Sequence, residues 1–256
     1  MVYVWKNGIE MRINKYIAQS GFCSRRKADE YIENGDVVVN GRIIKELGFQ
    51  VGPKDKVSVE GKLLKPLKME YYRFYKPAGY ITTSEDEKGR KTIYDIIPEE
   101  LRNLKPVGRL DKDSTGLIIM TNDGELINEM THPSIKVPKV YLVTINGKLT
   151  PEHGEKMFNG FEIETDQGEK KMAYAQVLPI ELSNKSSTLQ VTLYQGINRQ
   201  IRKMFAILGF EVISLKRVQH GTITLEGIKK GQIKAMKPKH IKELKSYLAK
   251  LRKKSE

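Results

Sequence analysis

One cysteine, Cys23, stands in 256 residues. That excludes an intramolecular disulfide and any cysteine-rich metal site, and a lone thiol of this kind is read as structural. Only four histidines are present, none at ligand spacing with another, so no metal is assigned to His220 or the rest. No apolar run approaches the roughly 18 residues of a membrane span. The opening Met1-Val-Tyr-Val-Trp-Lys-Asn-Gly8 is too short and interrupted for a secretory signal. Residues 1–10 are read as an expression remnant or a strand-like lead-in without function, and the protein is expected in the cytoplasm. No glycine-rich phosphate loop or dinucleotide fingerprint follows a strand, so no cofactor is expected.

The other scarcity is negative charge. Lys and Arg number 45 against 31 Asp and Glu, a net +14. Such an excess favours a polyanion, either nucleic acid or an anionic membrane surface. Eleven Lys or Arg against two Glu fall between Lys229 and Glu256. There Ile241, Leu244, Leu248 and Leu251 recur at helical spacing, which predicts a basic amphipathic helix over 239–256, docked on the body or simply solvated. With 39% hydrophobic residues the chain can bury a real core.

Arg12 to Ser20 reads as a first helix, stopped by Gly21. Ser24 suits the N-cap of a second over Arg25–Glu33, closed by Gly35. Asn40-Gly41 then lies between two β-branched runs as a hairpin turn. Arg25, Arg26, Lys27 and Arg42 gather near these joints. Gly61 to Lys68, lysine-rich and broken by Pro66, reads as an interdomain linker. Beyond it, strands are predicted at Tyr71–Tyr75, Lys139–Ile145 and Thr188–Tyr194, with two more around the turn at Asp166-Gln-Gly168. A mobile loop is predicted over Thr82–Thr92, and helices over Glu125–Met130 and Pro151–Gly160. Ile201, Met204, Phe205 and Leu208 share one face of a further helix. Asp123 is read as a cap or turn residue.

The chain is organised around Pro106-Val-Gly-Arg-Leu-Asp-Lys-Asp-Ser-Thr-Gly-Leu-Ile-Ile-Met-Thr121. Arg109, Asp111, Lys112 and Asp113 sit between two strand-like runs with no apolar spacer. That pattern marks a tight loop at a sheet rim, able to present a carboxylate to a ligand. Taken alone it reads as a solvated hairpin turn.

The wording of that stretch closely resembles the signature of the RsuA/RluB/RluE/RluF group of pseudouridine synthases. The residues before it, about Arg12 to Val59, resemble the S4 RNA-binding module. The resemblance implies an α+β chain. An S4-like module over 11–62 and a linker over 63–68 would precede a synthase domain over 69–238, with a mixed, mainly antiparallel sheet and flanking helices. It implies Asp111 as the catalytic residue, Arg202 as its partner and Tyr141 as a stacking platform. Arg109 would be a wedge or backbone clamp. Lys76 lies in a Lys-Pro-Ala-Gly turn similar to the family's active-site floor and is grouped with the RNA-binding residues. Arg25, Arg26, Lys27 and Arg42 would grip RNA phosphates, and Arg199 joins them as a phosphate contact or a solvated charge.

Resemblance to the RluF-like branch implies large-subunit (23S) ribosomal RNA as substrate, met free or in an assembly intermediate, with a monomeric enzyme. Small-subunit RNA and transfer RNA remain open at this level. So does the route: the carboxylate attacks the sugar or the base, or removes a sugar proton. The rivals are a non-catalytic RNA-binding assembly factor and, more distantly, a membrane-surface protein.

Overall fold

A computed structural model describes residues 10–83, 86 and 88–255; most of the predicted lead-in lies outside them. It separates into two compact units, divided between Glu70 and Tyr71.

In the first unit, β1 (Met11–Arg12) leads into α1 (Ile13–Gln19) and α2 (Arg25–Asn34). Ser24 accepts a hydrogen bond from the Lys27 amide, and Gly35 ends α2 in the left-handed region. The strands β2 (Val37–Val39), β3 (Arg42–Ile44), β4 (Gln50–Val51), β5 (Val57–Val59) and β6 (Lys62–Leu63) follow. Sheet order is β3-β2-β5-β6, while β4 pairs with β1. Asn40-Gly41 turns the β2–β3 hairpin, both residues with positive φ. Ile13, Ile17, Ala28, Ile32, Val37, Val51, Val57 and Val59 are fully buried and form this unit's own core. The stretch read as a linker is not free chain. Lys62 and Leu63 pair with β5, Leu64 is buried, and the Leu67 amide donates to the Gln19 carbonyl.

The second unit opens with β7 (Tyr71–Lys76), followed by β8 (Lys105–Pro106), β9 (Thr115–Thr121), α3 (Gly124–Thr131), β10 (Lys139–Asn146) and α4 (Pro151–Asn159). Next come β11 (Phe161–Glu164), β12 (Lys170–Ala173), β13 (Gln176–Leu182), β14 (Ser186–Leu193), α5 (Gln200–Ile207), β15 (Val212–His220), β16 (Ile223–Thr224), β17 (Ile233–Ala235) and α6 (Pro238–Ser255). The main sheet runs β13-β14-β10-β15-β9-β7-β17, with β16 on β15 and β8 on β9. Its pairings are antiparallel except β9 with β15. The mixed, mainly antiparallel sheet is the one expected. β13 is an additional strand, occupying the end of the region read as two strands and a loop. The loop predicted at Thr82–Thr92 has its ends tied by an Ile81–Thr92 bridge; residues 84, 85 and 87 lie outside the described set.

β9 is the centre of this unit. Leu117, Ile118, Ile119 and Met120 are all fully buried, so both faces of the strand are covered. Ile118 and Met120 join Phe74, Tyr141, Val143, Leu215 and the α5 residues Ile201, Met204 and Phe205 in one core cluster. Burial of each such side chain is worth about 1.5–3 kcal/mol. Separately, α3 packs on α6, burying Leu126, Met130, Leu244 and Leu248.

The basic C-terminal helix is therefore docked, and an ionic clasp adds to its apolar seam. Asp123 caps α3 by accepting from the Leu126 amide. Its other oxygen accepts from the Tyr71 hydroxyl and from Lys245 Nζ, both at 2.7 Å. Burial raises the Asp123 pKa, but Lys245 and Tyr71 more than offset this and hold it below the usual carboxylate range. Burial also pushes Tyr71 up to about 12, so its hydroxyl stays a donor. The carboxylate's stabilising contribution is present above pH 4 and is lost as pH falls through its folded-state pKa. Lys245→Met is expected to destabilise the protein by about 2 kcal/mol at pH 7, discounted because the ammonium is partly exposed. In thermal melts the gap between wild type and variant should shrink below pH 4; a gap independent of pH would remove the clasp.

Candidate active site

The predicted rim loop is where the sequence placed it. β8 pairs with the end of β9, the Val107 amide donates to the Ile119 carbonyl, and Gly108 has φ +75°. The chain then runs through Arg109 to Ser114 and enters β9. Arg109, Lys112 and Asp113 are exposed, and the Asp111 side chain is 32% exposed. Leu110 is buried, its amide and carbonyl both bonded to the Thr82 hydroxyl.

Beneath the loop lie two buried cations. Lys76, at the end of β7, is fully buried, and its three N–H groups find three carbonyls: Asp111 at 2.8 Å, Ser114 at 2.7 Å and Pro77 at 3.1 Å. Lys76 is thus not an RNA contact, as its grouping with the surface cations had implied. The apolar alternation of β7 points it inward, where main-chain oxygens use all its donors. Burial is the main cause lowering its pKa to about 8, opposed by Asp111 and Asp113. The second cation, Arg217 on β15, is 1% exposed. Its Nε donates to the Leu117 carbonyl at 2.7 Å and its Nη1 reaches the Arg109 carbonyl at 3.5 Å. Together the two side chains hold loop carbonyls inward from Arg109 to Leu117.

Gly116 permits this arrangement. It pairs in parallel with Arg217, and a Cβ there would overlap Arg217's own carbonyl oxygen. Its φ of +113° is also one that side chains rarely adopt. Tyr141 stands directly opposite Arg217 on β10, so the two share a face of the sheet. It is 8% exposed and belongs to the core cluster.

The outer side of the loop meets α5. Arg199, its N-cap with φ +51°, bonds both oxygens of Asp113 at 3.2 and 3.3 Å and lies 3.9 Å from Asp111 Oδ2. Arg202 pairs with Asp113 at 3.1 Å and donates to the Val212 carbonyl at 2.9 Å. The expected Arg202–Asp111 pair is not formed among the described residues. The bond to Val212 tethers Arg202 toward the start of β15, and Asp113 fills the space between the two guanidiniums. Arg199, read earlier as a phosphate contact or a solvated charge, is the cation nearest Asp111. Burial raises the Asp113 pKa, but these two arginines outweigh it and hold the group below its ordinary value. Lys203 binds Asp166 and the Glu164 carbonyl, away from the loop.

Sequence reasoning passed over Asp113 and Arg217. An arginine at a core-facing position of an apolar strand was the available signal for the second. Around Arg217 lie Lys139, its pKa lowered to about 8 chiefly by burial and then by Arg217, and the wholly buried His220, held far below its ordinary value mainly by burial.

On the first unit, Arg25, Arg26, Lys27 and Arg42 are all exposed. Arg25 donates to Asn14 at 3.2 Å, and Lys27 pairs with Glu30 at 2.6 Å. This unit therefore presents a basic surface with one charge already answered.

Comparison with known proteins places both units. A model of the RNA pseudouridylate synthase family matches residues 70–207, and one of the S4 domain matches residues 11–57. The chain is 37% identical to the ribosomal large subunit pseudouridine synthase B of Bacillus subtilis, over 92% of this chain and 96% of that protein. It is 40% identical to the dual-specificity RNA pseudouridine synthase RluF of Escherichia coli, over 87% of this chain and 74% of that one. A crystal structure of a pseudouridylate synthase superposes with a TM-score of 0.63 at 28% identity, covering 91% of this chain and 99% of that one. Matched by these relatives along most of its length, the protein is a member of the RNA pseudouridylate synthase family and carries an N-terminal S4 domain.

Proposed function

We propose that this protein isomerises uridine in large-subunit ribosomal RNA to pseudouridine, acting as a single chain, with Asp111 as the catalytic carboxylate. The observation that carries the reading is the Asp111 loop itself. Its backbone is tied down at the Arg109, Asp111, Ser114 and Leu117 carbonyls, while the carboxylate is left partly open beside Arg199. A fixed backbone with one accessible acid suits a reaction that needs a positioned carboxylate and neither redox nor phosphate chemistry. The names of the relatives support ribosomal RNA as substrate, and the large-subunit assignment follows the synthase B relative.

In this reading the target uridine leaves its helix and stacks near Tyr141. The Asp111 carboxylate then acts at the sugar or the base. Arg199, 3.9 Å away, orients it, while Arg202 holds Asp113 and through it the outer wall of the loop. Arg109, exposed at the loop's entrance, meets the RNA backbone. Arg25, Arg26, Lys27 and Arg42 add phosphate contacts that position the RNA without reading its sequence.

Asp111→Asn should lose nearly all turnover while binding RNA as wild type does. Tritium release from ribosomal RNA labelled at uridine C5, taken from cells lacking the protein, checks this. Sustained release by the variant would take Asp111 out of the reaction, and tight binding without release by wild type would point to an assembly factor.

Lys76→Met leaves three inward carbonyls without donors and should destabilise the protein by about 2–4 kcal/mol. Turnover should fall more than RNA affinity. Because folding lowers the lysine's pKa to about 8, the unfolded chain holds that proton more tightly above this pH. Wild-type stability relative to Lys76→Met should therefore rise between pH 8 and 10. Denaturant titrations across that range measure it, and a flat difference would contradict the burial of the ammonium.

A further inference from the structure

Arg217 has more donors than its structural duty uses. Nε and Nη1 hold the two loop carbonyls, but Nη2 is buried without a partner. No carboxylate among the described residues forms an ion pair with it. A buried donor left unsatisfied is destabilising, and an uncompensated buried charge costs more. A glutamine could hold the Leu117 carbonyl without that cost. The surroundings deepen the imbalance: Lys76 and Lys139 both feel Arg217 and both have pKa values lowered to about 8, with burial the larger cause. This cluster of positive charge lies on the face shared with Tyr141, beside Gly116 and under the Asp111 loop.

The isomerisation creates an anion that this site would suit. When the N1–C1′ bond breaks, its electron pair stays on the base, spread over N1, O2 and O4. Attack of a carboxylate on the ring would likewise push charge onto O4. C5 then bonds to C1′, the C5 proton leaves for solvent, and N1 gains a proton, so the sum is an isomerisation with nothing consumed. Resting on the synthase reading, we propose that Arg217, through its unpartnered Nη2, is the donor that binds the charged oxygen of the detached uracil while the base turns. Fixed donors aimed at developing charge in a dry site are worth a factor of about 10² to 10³ each.

The test compares Arg217→Gln and Arg217→Lys with wild type on ribosomal RNA transcripts carrying either uridine or 5-fluorouridine. Single-turnover loss of the N-linked nucleoside is read by nuclease digestion and chromatography. Fluorine stands where the C5 proton would be lost, so the C5-linked product keeps its fluorine without rearomatising and loss of the N-linked nucleoside is the readout. Fluorine also withdraws electrons and makes the detached base a weaker base, so it needs less help to leave. On uridine RNA, Arg217→Gln should be slower by about 10² or more with RNA affinity within a few fold. On 5-fluorouridine RNA the defect should shrink at least tenfold. Arg217→Lys keeps the buried charge and a donor for Leu117, and so supplies a folded variant if the glutamine form melts early; it should show a smaller defect with the same dependence. Equal defects on both RNAs would mean Arg217 only braces the loop, and wild-type rates in either variant would remove it altogether. Failure of wild type to act on uridine RNA would instead sink the synthase reading on which the proposal stands.

Discussion

The catalytic unit depends on cations buried beneath a loop and answered by main-chain carbonyls in place of acids. An ammonium or guanidinium inside a protein usually pairs with a carboxylate. Here Lys76 and Arg217 pair with loop oxygens, so neither cation draws on the carboxylate of Asp111. The sheet makes this affordable. Lys76 ends β7, Arg217 lies within β15, and β9 runs between them with Gly116 as the one residue small enough for the approach. Without the parallel β9–β15 pairing the two cations would not meet under the same loop.

The outer wall solves a different problem. Asp113 is held by Arg199 and Arg202 together, so the acid beside Asp111 is neutralised and α5 is locked to the loop. Asp111 meets a single, longer contact at 3.9 Å. Two carboxylates two residues apart thus have opposite duties, one spent on structure and one kept available. Their difference comes from which way the loop turns between them, a property of backbone geometry.

That division also explains what could be read in advance. Period-two and period-3.6 patterns, the Ser24 cap, the Asn40-Gly41 turn and the apolar β9 run report local preferences, and each appears where its residues predict. The loop's position came from charges crowded between two strands, and Asp111's prominence from the resemblance of that stretch to the synthase signature. Pairings across the fold left no such trace. That Arg202 would go to Asp113 depends on the Val212 carbonyl ten residues on, and that Lys76 would face inward depends on the next residue's carbonyl and two more from the Asp111 loop. The β5–β6 hairpin hid in what read as a linker because its strands are three and two residues long. Arg217 looked like one more charge in a basic chain until its neighbours were known.

The clasp between Tyr71, Asp123 and Lys245 joins the first residue of the catalytic unit to its middle and to its last helix, across sequence separations of 52, 122 and 174 residues. Contacts so distant along the chain form late, because a long loop must close before any of them repays the entropy. A partly folded chain would hold β7, β9 and α3 before α6 arrives, with the buried acid still short of its ammonium. The last helix therefore acts as a folding checkpoint: the unit becomes complete only when its final segment has docked.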